Sequence, residues 1–110
     1  MLKIRKFVVP CPLQDIRAGD PARYATIEVP QSTQIISITV ESDHIVLWGL
    51  MNSVDSERIA ERKVMICPPE TDITDDISLH YGGAVLVNGT QVHVFLENFI
   101  QHRLGPTKAN

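Results

Sequence analysis

Proline and glycine divide the chain into short apolar runs, and alternation within those runs predicts strands. Lys3–Val9 reads as a first strand. Pro10, Pro12, Gly19 and Pro21 leave little room for a helix between 10 and 21, so that stretch reads as a loop. Tyr24–Val29 is a second strand, ended by Pro30. Ile35–Glu41 alternates and His44–Met51 is β-rich, with Ser42-Asp43 between them as a tight turn. A two-residue loop sets Glu41 opposite His44, Val40 opposite Ile45, Ile38 opposite Leu47 and Ile36 opposite Gly49. One face of this hairpin (Ile36, Ile38, Val40, Ile45 and Leu47) is then apolar and belongs to a core. Ile35, Ser37, Thr39, Glu41, His44, Val46, Trp48 and Leu50 fall on the other.

Asn52–Glu57 is a polar connection. Arg58–Ile66 ends in Val64-Met65-Ile66, followed by Cys67-Pro68-Pro69, which favours a strand over a short helix. Glu70–Asp76 is an acidic loop with room for a helical turn capped by Thr71 or Asp72. Asn88-Gly89 is a favoured type I′ pair. It sets Val87 opposite Thr90, Val85 opposite Val92, Gly83 opposite Val94 and Tyr81 opposite Leu96. On the other face His80 lies opposite Glu97, and His93 opposite Ala84. Phe99, Ile100 and Leu104 predict one or two helical turns over 98–104, ended by Gly105-Pro106. The expected fold is mainly β: a small antiparallel β-sandwich or barrel of six to seven strands with a short C-terminal helical turn. It forms a single domain over residues 1–104, with a loose tail at 105–110.

The bulk properties narrow the partners. The chain has 110 residues, and its 44% hydrophobic and 21% charged content describes a globular chain. Ten Lys and Arg against thirteen Asp and Glu give a net charge of −3. A nucleic-acid binder usually carries a basic excess, so nucleic acid is not an expected partner. No apolar run reaches the roughly 18 residues of a membrane span. The basic start has no apolar stretch behind it before Pro10, so no secretory signal is read and the host cytoplasm is the expected location. There Cys11 and Cys67 are expected as free thiols, with a single disulfide as the alternative.

Three segments occur in an order that resembles a known family. They are Lys3-Ile4-Arg5-Lys6-Phe7; then Ala25-Thr26-Ile27-Glu28-Val29-Pro30 leading into Ile35–Val40 and Val46-Leu47-Trp48-Gly49-Leu50; then Gly82-Gly83 with Val92-His93-Val94-Phe95-Leu96-Glu97. This pattern is similar to a family of small proteins of unknown function found mainly in tailed bacteriophages and prophages, over most of residues 3–97. Many members carry a Gly-Thr-Gly-His stretch after the fifth strand, where this chain has Ile66-Cys67-Pro68-Pro69-Glu70-Thr71. The resemblance implies a phage or prophage context and a compact β fold, and it implies no activity.

Two constellations stand out as binding candidates. Trp48 with Ile35, Val46 and Leu50 makes a second hairpin face too apolar for open water. A second sheet or the tail helix, a second subunit, or a foreign protein could cover it, and tryptophan is a frequent interface anchor. Lys3, Arg5, Arg58 and Arg62 form a basic set that could seat a nucleotide phosphate if their strands lie close. The competing reading is solvated charge on edge strands.

Other clusters point to less. His80, His93 and Glu97 share a face, but the two histidines lie about four residues apart along the strands. At roughly 3.3 Å per residue that is too far for one zinc. A solvated His80–Glu97 cross-strand pair is expected instead. The acidic loop lacks the glycine and spacing of an EF-hand, and neither cysteine has a Cys-His neighbourhood. No phosphate loop, nucleophile elbow or His-Glu-x-x-His occurs. No enzyme, catalytic residue, metal site or cofactor is therefore expected. The expected function is that of a phage-encoded accessory protein acting by binding, either to a host protein or as a homo-oligomer. A small-molecule sponge for a host nucleotide signal and a minor virion component are the alternatives.

Overall fold

The computed structural model describes residues 1–52, 58–73 and 78–97. Seven antiparallel strands make up the described fold: β1 (Leu2–Val8), β2 (Arg23–Pro30), β3 (Gln34–Glu41), β4 (His44–Asn52), β5 (Ile59–Cys67), β6 (Leu79–Val87) and β7 (Thr90–Glu97). They form a three-stranded sheet in the order β1-β4-β3 and a four-stranded sheet in the order β2-β5-β7-β6. No helix occurs among the described residues. The helical turn expected over 98–104 lies outside them, and so does part of the 70–76 loop.

Alternation decides which face of each strand is buried. Ile45 and Leu47 from the first sheet meet Ile27, Val29, Val64, Ile66, Val87, Val92 and Val94 from the second in one cluster. Burying each such side chain contributes about 1.5–3 kcal/mol.

The loop at 10–21 is more than a connection. Leu13 and Ile16 are buried in the same core, and Val9 enters it just after β1. The Leu13 amide donates to the Asp43 carbonyl at 2.9 Å, and the Asn88 side-chain amide donates to the Gln14 carbonyl at 2.7 Å. The loop thus closes the end of the molecule where the β3–β4 and β6–β7 turns lie. Both turns use positive φ at their two central residues, Ser42 (49°) and Asp43 (60°) in one and Asn88 (50°) and Gly89 (80°) in the other.

The predicted pairing holds near each turn and fails farther out. In β3–β4, Val40 faces Ile45 and Ile38 faces Leu47 as expected, but a bulge follows and Ile35, not Ile36, faces Gly49. Because side chains alternate, one extra residue exchanges the faces. Ile36 is consequently 47% exposed, while Ile35 packs against the core instead of joining Trp48's face. In β6–β7, Gly83 faces Val94 as expected, and a bulge at Gly82 then sets Tyr81 opposite Phe95, His80 opposite Leu96 and Leu79 opposite Glu97. The expected His80–Glu97 and Tyr81–Leu96 pairings are therefore wrong by one residue.

Candidate functional site

β4 is the middle strand of its sheet and is apolar on both faces. Its inward residues fill the core. Its outward residues include Val46, Trp48 and Leu50, and the register of β1 sets Val8, Lys6 and Ile4 beside them. Leu2, Ile4 and Val8 are 65%, 60% and 52% exposed and Trp48 and Leu50 are half-buried, whereas Val46 is fully buried. Trp48 sits at the centre of this apolar stripe. Its indole N–H donates to Thr39 Oγ1 at 2.9 Å, and the Lys6 ammonium lies 5.9 Å from its ring centre. Lys6 is held by Glu41 at 2.8 Å, in an exposed pair of small energetic weight.

β1 is also an edge strand: among the described residues its second edge pairs with no strand. Toward the end of β1, Lys6, Phe7 and Val8 border a groove whose other wall is Thr26, Ile27 and Glu28 of β2. Lys3 and Arg5 project from β1 on the side opposite the stripe. Arg5 stacks over the Phe7 ring at 5.4 Å. Neither cation is in an ion pair among the described residues.

A second feature opens at the seam where β3 approaches β6. A cleft of about 370 Å³ is lined by residues of both bulges, Ile36 and Gly82, and by Ser37, Ile38, Arg62 and Leu96 among others. Arg62 is only 4% exposed and donates from Nη2 to the Thr33 carbonyl at 2.5 Å. Thr33, itself fully buried, lies over Gly49: a Cβ there would fall 2.5 Å from Thr33 Cγ2 and 3.0 Å from Phe7 Cε2. Gly82 serves a matching purpose, because a Cβ at that position would meet Leu96 Cδ1 at 2.8 Å and Ile38 Cδ1 at 3.2 Å.

These placements divide the candidate residues. Trp48, Val46 and Leu50 share a face, but Val46 is fully buried there and so is not open to a partner, and Ile35 leaves their face. Of the basic set, Lys3 and Arg5 lie on β1, Arg58 is exposed just before β5, and Arg62 turns inward to the cleft. The cleft lining includes Arg62 and none of the other three. The three candidate metal or acid–base residues also separate. His80 turns to the inner face with Leu96, while His93 stays outside and hydrogen-bonds with the Tyr81 hydroxyl at 2.9 Å. Tyr81 in turn packs edge-on against Phe95. Glu97 accepts the Lys63 amide N–H at 2.9 Å. Both cysteines are free, and burial pushes the Cys67 thiol pKa up, so it stays protonated.

Sequence reasoning missed Leu2, Ile4 and Val8 as neighbours of Trp48. Their alternation was visible, but the pairing of β1 with β4 was not. In comparison with known proteins, the chain matches no family model, no curated protein and no solved structure.

Proposed function

We propose that this chain is an accessory protein, encoded by a phage or prophage, that works by binding another protein rather than by catalysis. The observation that carries this reading is the stripe of Leu2, Ile4, Val8, Trp48 and Leu50 beside an unpaired strand edge. Exposed apolar surface next to free backbone donors and acceptors is the usual setting for strand addition.

Size and charge select the partner. Three strands ~4.8 Å apart, with ~3.3 Å per residue over seven residues, give a footprint of roughly 300 Å². Even doubled for side-chain relief, that is below the ~800 Å² per partner of a standard stable interface. The face suits a short extended segment better than a second copy of this chain. Lys3, Arg5 and Lys6 all precede the first acidic residue, Asp15, and they would repel a second β1 laid against the edge. A strand with one apolar row beside Leu2 and Ile4, and one acidic row beside Lys3 and Arg5, satisfies both faces at once.

Trp48 is the chain's single tryptophan and therefore reports on its own face. Titration with a synthetic peptide alternating glutamate and valine is expected to shift its emission to the blue, and added salt should weaken the effect. The same peptide with lysine for glutamate should do nothing. Trp48→Ala removes the reporter, so its effect is read by calorimetry, where a loss of about 2 kcal/mol is expected for an interface anchor. Equal binding of both peptides, or a stable dimer of the free protein at micromolar concentration, would remove the basis for the reading.

A further inference from the structure

We propose that the outer face of the four-stranded sheet is a second binding site, and that it takes a neutral oligosaccharide of the extended, β-1,4-linked kind, stacked along an aromatic row. The site is separate from the Trp48 face and does not rest on it.

The register assembles the row from all four strands. Tyr24 stands opposite Met65, Met65 opposite Phe95, and Phe95 opposite Tyr81. Their neighbours along the strands, Ala25, Val64 and Val94, pack into the core, so the row itself points outward. At ~4.8 Å per strand it spans roughly 14 Å. Met65 is buried in the middle, whereas Tyr24 and Tyr81 at the two ends are 56% and 58% exposed. A shallow depression bordered by Tyr24, Thr26 and Lys63 adjoins one end. At the other end Tyr81 is exposed yet fixed. Its hydroxyl hydrogen-bonds with His93 Nδ1 at 2.9 Å, and its ring meets Phe95 edge-on at 5.3 Å between centres. A ring held in this way loses little freedom when a ligand stacks on it.

The groups around the row define the class of ligand. The face of a tyrosine ring is electron-rich, and the polarised C–H groups on the face of a sugar ring suit it. Engagement of His93 Nδ1 with Tyr81 leaves Nε2 to meet a ligand. Nε2 donates in one tautomer and accepts in the other, and a sugar hydroxyl answers either. In the next row Lys63 faces Thr26, and its amide N–H donates to Glu97, so one charge of each sign flanks the rings. One row farther, Glu28 and Glu61 stand directly opposite one another. These carboxylates oppose a phosphate backbone, which disfavours the single-stranded nucleic acids that aromatic rows also stack. An uncharged chain of hydroxyl-bearing rings answers all of these conditions.

The test is an amide-shift NMR titration of the full chain with cellotriose, alongside an oligothymidylate and spermidine at equal ionic strength. Cellotriose is expected to shift the amides of Tyr24, Tyr81 and Phe95 saturably, and the two charged probes are not. Tyr81→Leu keeps an apolar side chain at an exposed position and removes the ring and its hydroxyl. It is expected to weaken cellotriose at least tenfold while leaving the remaining amide spectrum in place. Tyr81→Phe restores the ring without the His93 bond and is expected to recover part of the loss. Tyr24→Leu tests the far end of the row independently and is also expected to weaken binding. The proposal is overturned if cellotriose leaves these amides unmoved, if oligothymidylate or spermidine shifts them equally, or if either leucine variant binds cellotriose as well as the parent.

Discussion

At the scale of single residues, the fold depends on a few side chains whose surroundings leave little freedom. Thr33 is fully buried, and among the described residues its Oγ1 has no hydrogen-bond partner. Only its carbonyl serves Arg62. Thr33→Val keeps the shape and the carbonyl and removes a desolvated hydroxyl. It is expected to raise stability by about 1 kcal/mol in urea unfolding. Gly49 lies beneath Thr33, and Gly49→Ala is expected to lower stability by about 1–3 kcal/mol through overpacking. Cys67 offers a pH test. Its folded pKa lies above the unfolded one, so the folded state holds the proton more tightly. The resulting stability is present below the unfolded value near 9 and is lost as pH rises through the folded pKa. Cys67→Ala should flatten the part of the alkaline fall in stability that this thiol causes. In the parent, iodoacetamide at neutral pH should label the half-buried Cys11 well before Cys67.

At the scale of elements, the limits of sequence reading have a physical cause. Strand existence followed from alternation and punctuation, and turn positions followed from Ser42-Asp43 and Asn88-Gly89. The register is legible only as far from a turn as the ladder stays regular. In both hairpins a single bulged residue exchanged faces beyond it, taking Ile35 off Trp48's face and separating His80 from Glu97. Neither bulge has a sequence mark strong enough to place it. Gly82 allows one, but Gly83 beside it does so equally. The β1–β4 pairing joins segments some forty residues apart and was likewise hidden, as was the core role of Leu13 and Ile16 in a proline-rich loop. The Ser42-Asp43 turn makes a prediction at this scale. Both residues sit at positive φ without glycine. Ser42→Asn with Asp43→Gly should therefore stabilise the hairpin by about 1 kcal/mol, raising the thermal midpoint by about 4–8 °C.

At the scale of the molecule, two sheets enclose one core, and their outer faces and free edges define what can bind. The four-stranded sheet carries the row that ends in Tyr24 and Tyr81. The β1 edge carries Lys3, Arg5 and the stripe around Trp48. The chain's net charge is −3, yet its first seven residues hold three cations and no acid. On the proposed reading, an acidic partner would be drawn to one end of one strand rather than to the whole surface.

The most direct measurement is amide hydrogen exchange, read residue by residue by NMR, with and without the glutamate–valine peptide. If β1 accepts an added strand, its amides pointing away from β4 should gain protection over Leu2–Lys6, and the β4 amides should change little. Unchanged exchange along β1 at saturating peptide, or protection confined to β3 and β6, would contradict docking at this edge.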